Sequence, residues 1–279
     1  MTDIPALPPL REVIKTYGLG AKKSLGQHFL LDTNLTNRIA RAAGDLTGHH
    51  VVEIGPGPGG LTRSILAQAP ALLTVIERDQ RCIDALSGLK EMYPDTLNIV
   101  EADAMKVTLS ELTPHPSVIM SNLPYNVGTP LLIRWLTQAS SLASMTLMFQ
   151  REVAERITAR CGEASYGRLS VLTSWLADAK ILFDVPASAF VPPPKITSSI
   201  VQIVPLAHPR YPCSQHFLEF ITRKAFGQRR KMLRASLKPL AKRHGLKAAE
   251  WLQSLDIDPT ARAETLGQEE FQRMAASLV

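Results

Sequence analysis

Between residues 50 and 150 short apolar runs alternate with stretches in which apolar side chains recur every three or four positions. The runs at 50–55 (HVVEIG), 72–77 (LLTVIE), 97–103 (LNIVEAD), 117–122 (SVIMSN) and 144–149 (SMTLMF) predict strands. The stretches at 60–69, 80–93 and 130–139 predict helices, the last with Pro130 suited to a first helical turn. Strand–helix alternation of this kind implies an α/β fold, a parallel sheet covered on both faces. Two more apolar runs follow at 180–185 (KILFDV) and 198–206 (SSIVQIVPL). The proline-rich 186–197 between them predicts a hairpin-like loop closing the sheet edge. After 205–212 (PLAHPRYP) the pattern becomes helical and basic, with breaks near Gly227, Gly245 and Pro259. These changes place a boundary at about residue 208, giving a domain 1–208 and a small all-helical domain 209–279.

Charge sharpens this division. The 279 residues carry a net +6, and from Tyr211 onward 12 Lys and Arg face 7 Asp and Glu, so five of those six charges sit in the last quarter. From Arg223 to Lys247 there are ten basic residues and no acidic one. A stripe this one-sided points to a polyanion partner rather than to a merely solvated helix face. Arg229, Arg230, Lys231 and Arg234, on consecutive turns of one expected helix, are the best candidates for phosphate contacts.

Composition excludes other classes. No apolar run approaches the ~20 residues of a membrane span. The first 18 residues have an early Asp and three prolines, unlike a signal peptide. Cys82, Cys161 and Cys213 are odd in number and in no CxxC pair, and the seven histidines show no metal-ligand spacing. A reducing cytoplasm and no metal are expected.

The candidate chemistry lies at strand ends. Gly55, Gly57 and Gly60 in EIGPGPGG fit G-x-G-x-x-G. A bound pyrophosphate wants several backbone N–H donors, which Pro56 and Pro58 lack, so the loop suits an uncharged nucleoside better than a diphosphate. Glu77 ends the second strand, where a carboxylate can accept both ribose hydroxyl hydrogens; Asp103 ends the third and can accept from an adenine amino group. Either acid alone is more often a cap or turn residue. Together they line one crevice, an adenosine site without phosphates. NLPY at 122–125 ends the fourth strand. The Asn122 side-chain oxygen and the Leu123 carbonyl are two acceptors for the two hydrogens of an exocyclic base amine, and Tyr125 offers a ring on which the base stacks. Phe190 is by default a core anchor, although the rigid PPPK after it favours fixed presentation at a loop.

Taken with GQHFL (26–30), IERD (76–79), EADA (101–104), AFVPPPKITSS (189–199) and FGQRRKMLRASL (226–237), these motifs resemble, in order and from about residue 20 to the C-terminus, the ribosomal RNA adenine N6,N6-dimethyltransferases, in particular the bacterial small-subunit branch. The resemblance implies a Rossmann-like fold, S-adenosylmethionine as methyl donor, and two adjacent adenosines of a 16S rRNA hairpin loop as targets, within the small subunit or its precursor. It implies an N-terminal segment, 1–48, that closes over the cofactor, with His28 and Leu30 as contacts beside Gly55, Glu77, Asp103 and Asn122. It also implies Asn122, Leu123 and Tyr125 as the amine-binding and stacking motif, with Phe190 against the other face of the base. His28 departs from the pattern, since many members have asparagine there. A cytoplasmic monomer is expected.

Three alternatives compete. The glycine spacing also suits an NAD-dependent dehydrogenase, against which the loop prolines, Asp103 and NLPY all count. A non-catalytic RNA-binding assembly factor is disfavoured by the intact Asn122 and Tyr125. A large-subunit rRNA methyltransferase conferring antibiotic resistance shares NLPY, and FGQRRKMLRASL favours the small-subunit branch over it.

Overall fold

The computed structural model describes residues 7–20, 28–112, 117–123, 127–138 and 141–278. They divide into two compact units: 1–154 with 180–205, and 155–179 with 206–279.

The first unit is built on a seven-stranded sheet. Helix α1 (Leu10–Thr16) and the short strand β1 (Phe29–Leu30) precede α2 (Thr33–Ala42), whose N-cap Asp32 accepts from Asn34 and Leu35 N–H. Alternation then follows: β2 (His50–Ile54), α3 (Gly60–Leu66), β3 (Leu72–Glu77), α4 (Gln80–Met92), β4 (Leu97–Glu101), α5 (Leu109–Leu112), β5 (Ser117–Ser121), α6 (Gly128–Leu136) and β6 (Leu142–Gln150). After α7 (Arg151–Thr158) and α8 (Arg168–Leu176) come β7 (Ala177–Val185), β8 (Phe190–Val191) and β9 (Ser198–Pro205). All five runs expected as strands from 50 to 150 are strands, and Pro130 sits in the first turn of α6.

The strand order is β4-β3-β2-β5-β6-β9-β7. From β4 to β6 the pairing is parallel, and β9 runs antiparallel to β6. The sheet is therefore mixed rather than wholly parallel. Every residue of β5 is buried, as are 51–54 of β2, which is why these runs lack the polar–apolar alternation of a half-exposed strand. The chain leaves β2 toward β3 and β4, then returns to place β5 on the other side of β2. A parallel sheet opens a crevice at such a switch point, outside the carboxyl ends of its strands. The 186–197 segment joins the neighbouring strands β7 and β9, but within it β8 pairs with β1 in a separate two-stranded ladder, Phe29 opposite Val191 and Leu30 opposite Phe190. It thus ties down the segment before α2 rather than closing the sheet edge.

The second unit is helical. It holds α9 (Gln215–Phe226), α10 (Leu233–Ser236), α11 (Lys238–Arg243), α12 (Ala248–Ser254) and α13 (Gln268–Ala276). It also holds 155–179, for which the hydrophobic pattern makes no assignment and which a boundary at 208 puts in the first domain. The physical reason is packing. On α8, Leu169, Val171, Leu172 and Trp175 are all buried, and the helix packs on α9 and α13. Trp175 Nε1 donates to Tyr211 O at 2.8 Å and Gln268 Nε2 to Val171 O at 3.3 Å, so both indole and helix backbone are satisfied from this unit. The chain thus enters the second unit at 155, returns to the first at 180 and leaves it again at 206.

Candidate functional site

A cavity of about 180 Å³ opens at the carboxyl ends of the parallel strands, where the strand order reverses. Its walls include His28, Leu30, Gly55, Glu77, Asp103, Asn122 and Leu123, so seven expected site residues, scattered over 96 positions of sequence, meet in one place.

The glycine loop is spent internally. Gly55 N–H donates to Ile76 O (2.9 Å), Gly57 N–H to Glu77 Oε2 (3.3 Å) and Gly59 N–H to Pro56 O (3.0 Å). With Pro56 and Pro58 lacking N–H groups, the loop offers no cluster of donors to a diphosphate, consistent with the expectation from its prolines. Gly55, Gly57 and Gly59 have φ of +65°, +55° and +90°, all in the left-handed region. A Cβ on Gly60 would stand 2.7 Å from Leu30 O, so only a bare α-carbon lets the start of α3 pass beneath β1.

Glu77 is 8% exposed and fixed by its own strand end. Its Oε1 accepts from Arg78 N–H (2.8 Å) and Asp79 N–H (2.9 Å), and its Oε2 from Gly57 N–H. Four lone-pair sites less three donors leave Oε2 able to accept from a ligand hydroxyl. Asp103 is half-buried; its Oδ1 accepts from Met105 N–H at 2.9 Å, which leaves Oδ2 for a ligand donor.

Asn122 is half-buried just past β5, and its Nδ2 donates to His28 O at 3.1 Å. That bond orients the amide with Oδ1 left to accept, the role its chemistry predicts. Leu123 is buried beside it. His28 is held in turn: Nδ1 donates to Pro192 O at 2.8 Å, and its ring meets Phe190 edge-on, centroids 6.4 Å apart. The loop after β8 therefore braces His28, whose carbonyl braces Asn122.

Phe190 is not brought to the cavity wall. It is 2% exposed and packs in the core with Leu30, Val185 and Ile200, so a base meets this ring only after those contacts open. Tyr125 lies outside the described residues.

One cavity residue escapes the sequence reading. Glu53 lies inside β2, 1% exposed, and its Oε2 has no hydrogen-bond partner. Burial pushes its carboxyl up to about 8; the Thr62 hydroxyl opposes this without a well-formed hydrogen bond, and the Glu77 carboxylate adds to it. An acid inside an otherwise apolar strand was the available signal.

In the second unit the basic stripe does not form one helix. Residues 227–230 are a turn between α9 and α10, because α9 ends at Gly227. Arg230, Lys231 and Arg234 are exposed. Arg229 is half-buried, with Nε 2.7 Å from Glu264 Oε2 and Nη2 2.8 Å from Ala164 O. Its guanidinium is committed inside the unit, which sets it apart from the other three.

A family model described as ribosomal RNA adenine dimethylase matches residues 18–279. The chain belongs to this family. Full-length relatives agree: the ribosomal RNA small subunit methyltransferase A of Sinorhizobium medicae is 53% identical over 281 residues, covering all of both chains. Its namesake from Bartonella henselae is 54% identical, over 98% of each chain. Among solved structures, a dimethyladenosine transferase from Plasmodium falciparum superposes with TM-score 0.77 at 25% identity, over 88% of this chain and 96% of that one. The 23S rRNA methyltransferase ErmE reaches 0.66 at 25% identity, over 90% and 99%. The protein is a methyltransferase with a Rossmann-like fold, and membership of the dimethylase family makes S-adenosylmethionine its methyl donor. The residues present fit that donor: Glu77 retains acceptor capacity for a ribose, Asp103 for an adenine amine, and the loop asks for no phosphate.

Proposed function

We propose that this protein dimethylates the N6 amino groups of two adjacent adenosines in a hairpin loop near the 3′ end of 16S rRNA, acting on the small ribosomal subunit or its precursor. The observation that carries the reading is the His28–Asn122 hydrogen bond, which presents the Asn122 oxygen as an acceptor in the same cavity as Glu77 and Asp103. The names of the full-length relatives favour small-subunit over large-subunit RNA.

Bound S-adenosylmethionine supplies a methyl group on a positively charged sulfur, with a neutral thioether to leave. Glu77 and Asp103 hold its nucleoside. An aromatic amine is a weak nucleophile because its lone pair is delocalised into the ring. Asn122 Oδ1 and the Leu123 carbonyl, by accepting both of its hydrogens, draw the nitrogen toward tetrahedral geometry and localise that pair. The gain comes from positioning, and no strong base is required, because the alkylated nitrogen is briefly cationic and sheds its proton readily. Tyr125 stacks on the extruded base, and Phe190 supports His28 from beneath. Arg230, Lys231 and Arg234 grip RNA phosphates, since one base pocket cannot select one hairpin and the wider surface must read RNA shape.

The test is transfer of labelled methyl groups to small subunits lacking the modification, followed by mapping. Four methyl groups on two adjacent adenosines are expected. Label in large-subunit RNA, or none, would overturn the reading.

A further inference from the structure

Glu53 is a buried acid of the cavity with one carboxyl oxygen, Oε2, left without a hydrogen-bond partner. In the sheet register it stands opposite Val75 on β3 and Met120 on β5, both fully buried. Side chains at register positions share a face of the sheet, so the carboxyl is flanked by apolar neighbours on both sides. From α3 it meets Thr62, a neutral hydroxyl, and the charge acting on it is the like charge of Glu77. The other charged or titratable side chains lining the cavity are Arg78 beyond β3, Asp103 beyond β4 and His28 before β1. A carboxyl so placed stays protonated at neutral pH unless a cation arrives in the cavity; burial accordingly holds it near 8.

The two forms of the cofactor differ in this respect. S-adenosylmethionine carries an ammonium, a carboxylate and a sulfonium, a net +1. The thioether left after transfer has lost the sulfonium and is net neutral. We propose that Glu53 is a specificity-determining residue: its carboxyl is neutral while the cavity holds no net positive charge and gives up its proton when the cationic donor binds, so that the site favours donor over spent product. The proposal rests on S-adenosylmethionine being the donor. It needs no particular placement of the sulfonium, only that one unit of charge enters the cavity beside a buried ionisable group. After methyl transfer the carboxylate loses its counter-charge and retakes a proton, which weakens hold on the product.

Calorimetric titration of the full chain with donor and with thioether product, in buffers of different ionisation enthalpy at pH 7, counts the protons exchanged. Donor binding is expected to release most of a proton more than product binding. The donor's own α-amino group, with an ordinary pKa near 8, also titrates here, so Glu53→Gln is the reference. In that variant the donor-minus-product proton difference should fall by most of a proton. Its donor affinity at pH 8 should fall about tenfold, equivalent to one unit of pKa displacement, with product affinity changed much less. The same proton difference in parent and variant overturns the proposal. Should the variant fail to fold, infrared spectra of the parent decide. The band of a protonated buried carboxyl should vanish with donor and persist with product, and any other pattern overturns the assignment. If neither ligand binds the parent, the cofactor reading falls and this proposal with it; equal proton counts remove only the proposal.

Discussion

In the cavity of the first unit the acids and amide are buried or half-buried and largely committed. Glu77 already accepts three backbone N–H bonds, Asn122 already donates to His28 O, and the loop glycines have spent their donors. Between Arg223 and Lys247 the opposite holds: nine of the ten cations are exposed, and Arg229 alone is half-buried. A committed polar group gains selectivity from the low-dielectric site around it, and its loss leaves partners unpaired. A solvated cation is screened and individually weak, so a stripe of them acts by number. Substitutions in the first region should therefore have large, specific effects, and those in the second small, additive, salt-sensitive ones.

The largest effect expected is that of Asn122→Ala. Removing an acceptor that matters most as the amine becomes tetrahedral should slow single-turnover methylation on the order of 10²–10³-fold, with a much smaller loss of donor affinity by calorimetry. A near-normal rate would remove Asn122 from the chemistry. Next is Glu77→Ala, which should weaken donor binding by ~1.5–3 kcal/mol, the worth of hydrogen bonds to a charged group. It also orphans the N–H groups of Gly57, Arg78 and Asp79, so a lowered Tm should accompany it. An unchanged dissociation constant would place the ribose elsewhere.

Glu53 separates folding from function by pH. Its folded pKa, about 8, lies above the ordinary 4.5. The folded state therefore holds more protons than the unfolded state between these values, and the group's contribution to stability is present below about 4.5 and lost as pH rises toward 8. Glu53→Gln, which cannot ionise, should gain on the parent by up to about 1.4 kcal/mol per pH unit across that window, read by denaturant unfolding from pH 5 to 8. A stability difference independent of pH would show that the carboxyl ionises normally.

The stripe should respond differently. Replacing Arg230, Lys231 and Arg234 together by Gln should lower the slope of log affinity for small subunits against log salt by about 0.7–0.9 for each phosphate no longer neutralised. Calorimetric binding of S-adenosylmethionine should be untouched. A parental salt slope would mean that these three are merely solvated.

How much of this was legible in the sequence follows the same contrast. Strand ends carry local signals, so Gly55, Glu77, Asp103 and Asn122 could be placed from the glycine, acid or amide that closes each apolar run, and all of them line the cavity. Glu53 is visible as an acid inside an apolar run, but its isolation is not, because that comes from the register that sets Val75 and Met120 beside it, a property of three strands rather than one. The membership of 155–179 in the helical unit was equally hidden, since Trp175 finds its acceptor at Tyr211, 36 residues on. Phe190 reads the same from sequence whether it faces a ligand or the core; its pairing opposite Leu30 puts it in the core.

Arg229 is where the comparison between the regions becomes sharpest, because it lies in the stripe yet is committed like a cavity residue. Its pair with Glu264 is 2.7 Å long but more than a third exposed on each side, so solvent screens it and the pair is worth only ~0.2–1 kcal/mol. The second bond, to Ala164 O, ties the turn after α9 to the segment before α8, and losing it orphans that carbonyl where water can still reach it. Arg229→Gln should therefore lower stability by no more than about 1 kcal/mol and leave the salt slope of subunit binding unchanged, whereas Arg230→Gln should do the reverse. Measuring Tm and salt slope for both variants separates a cation that holds the unit together from one that meets RNA. If Arg229→Gln flattens the slope as much as Arg230→Gln does, Arg229 leaves Glu264 to reach a phosphate, and the whole stripe acts as one surface.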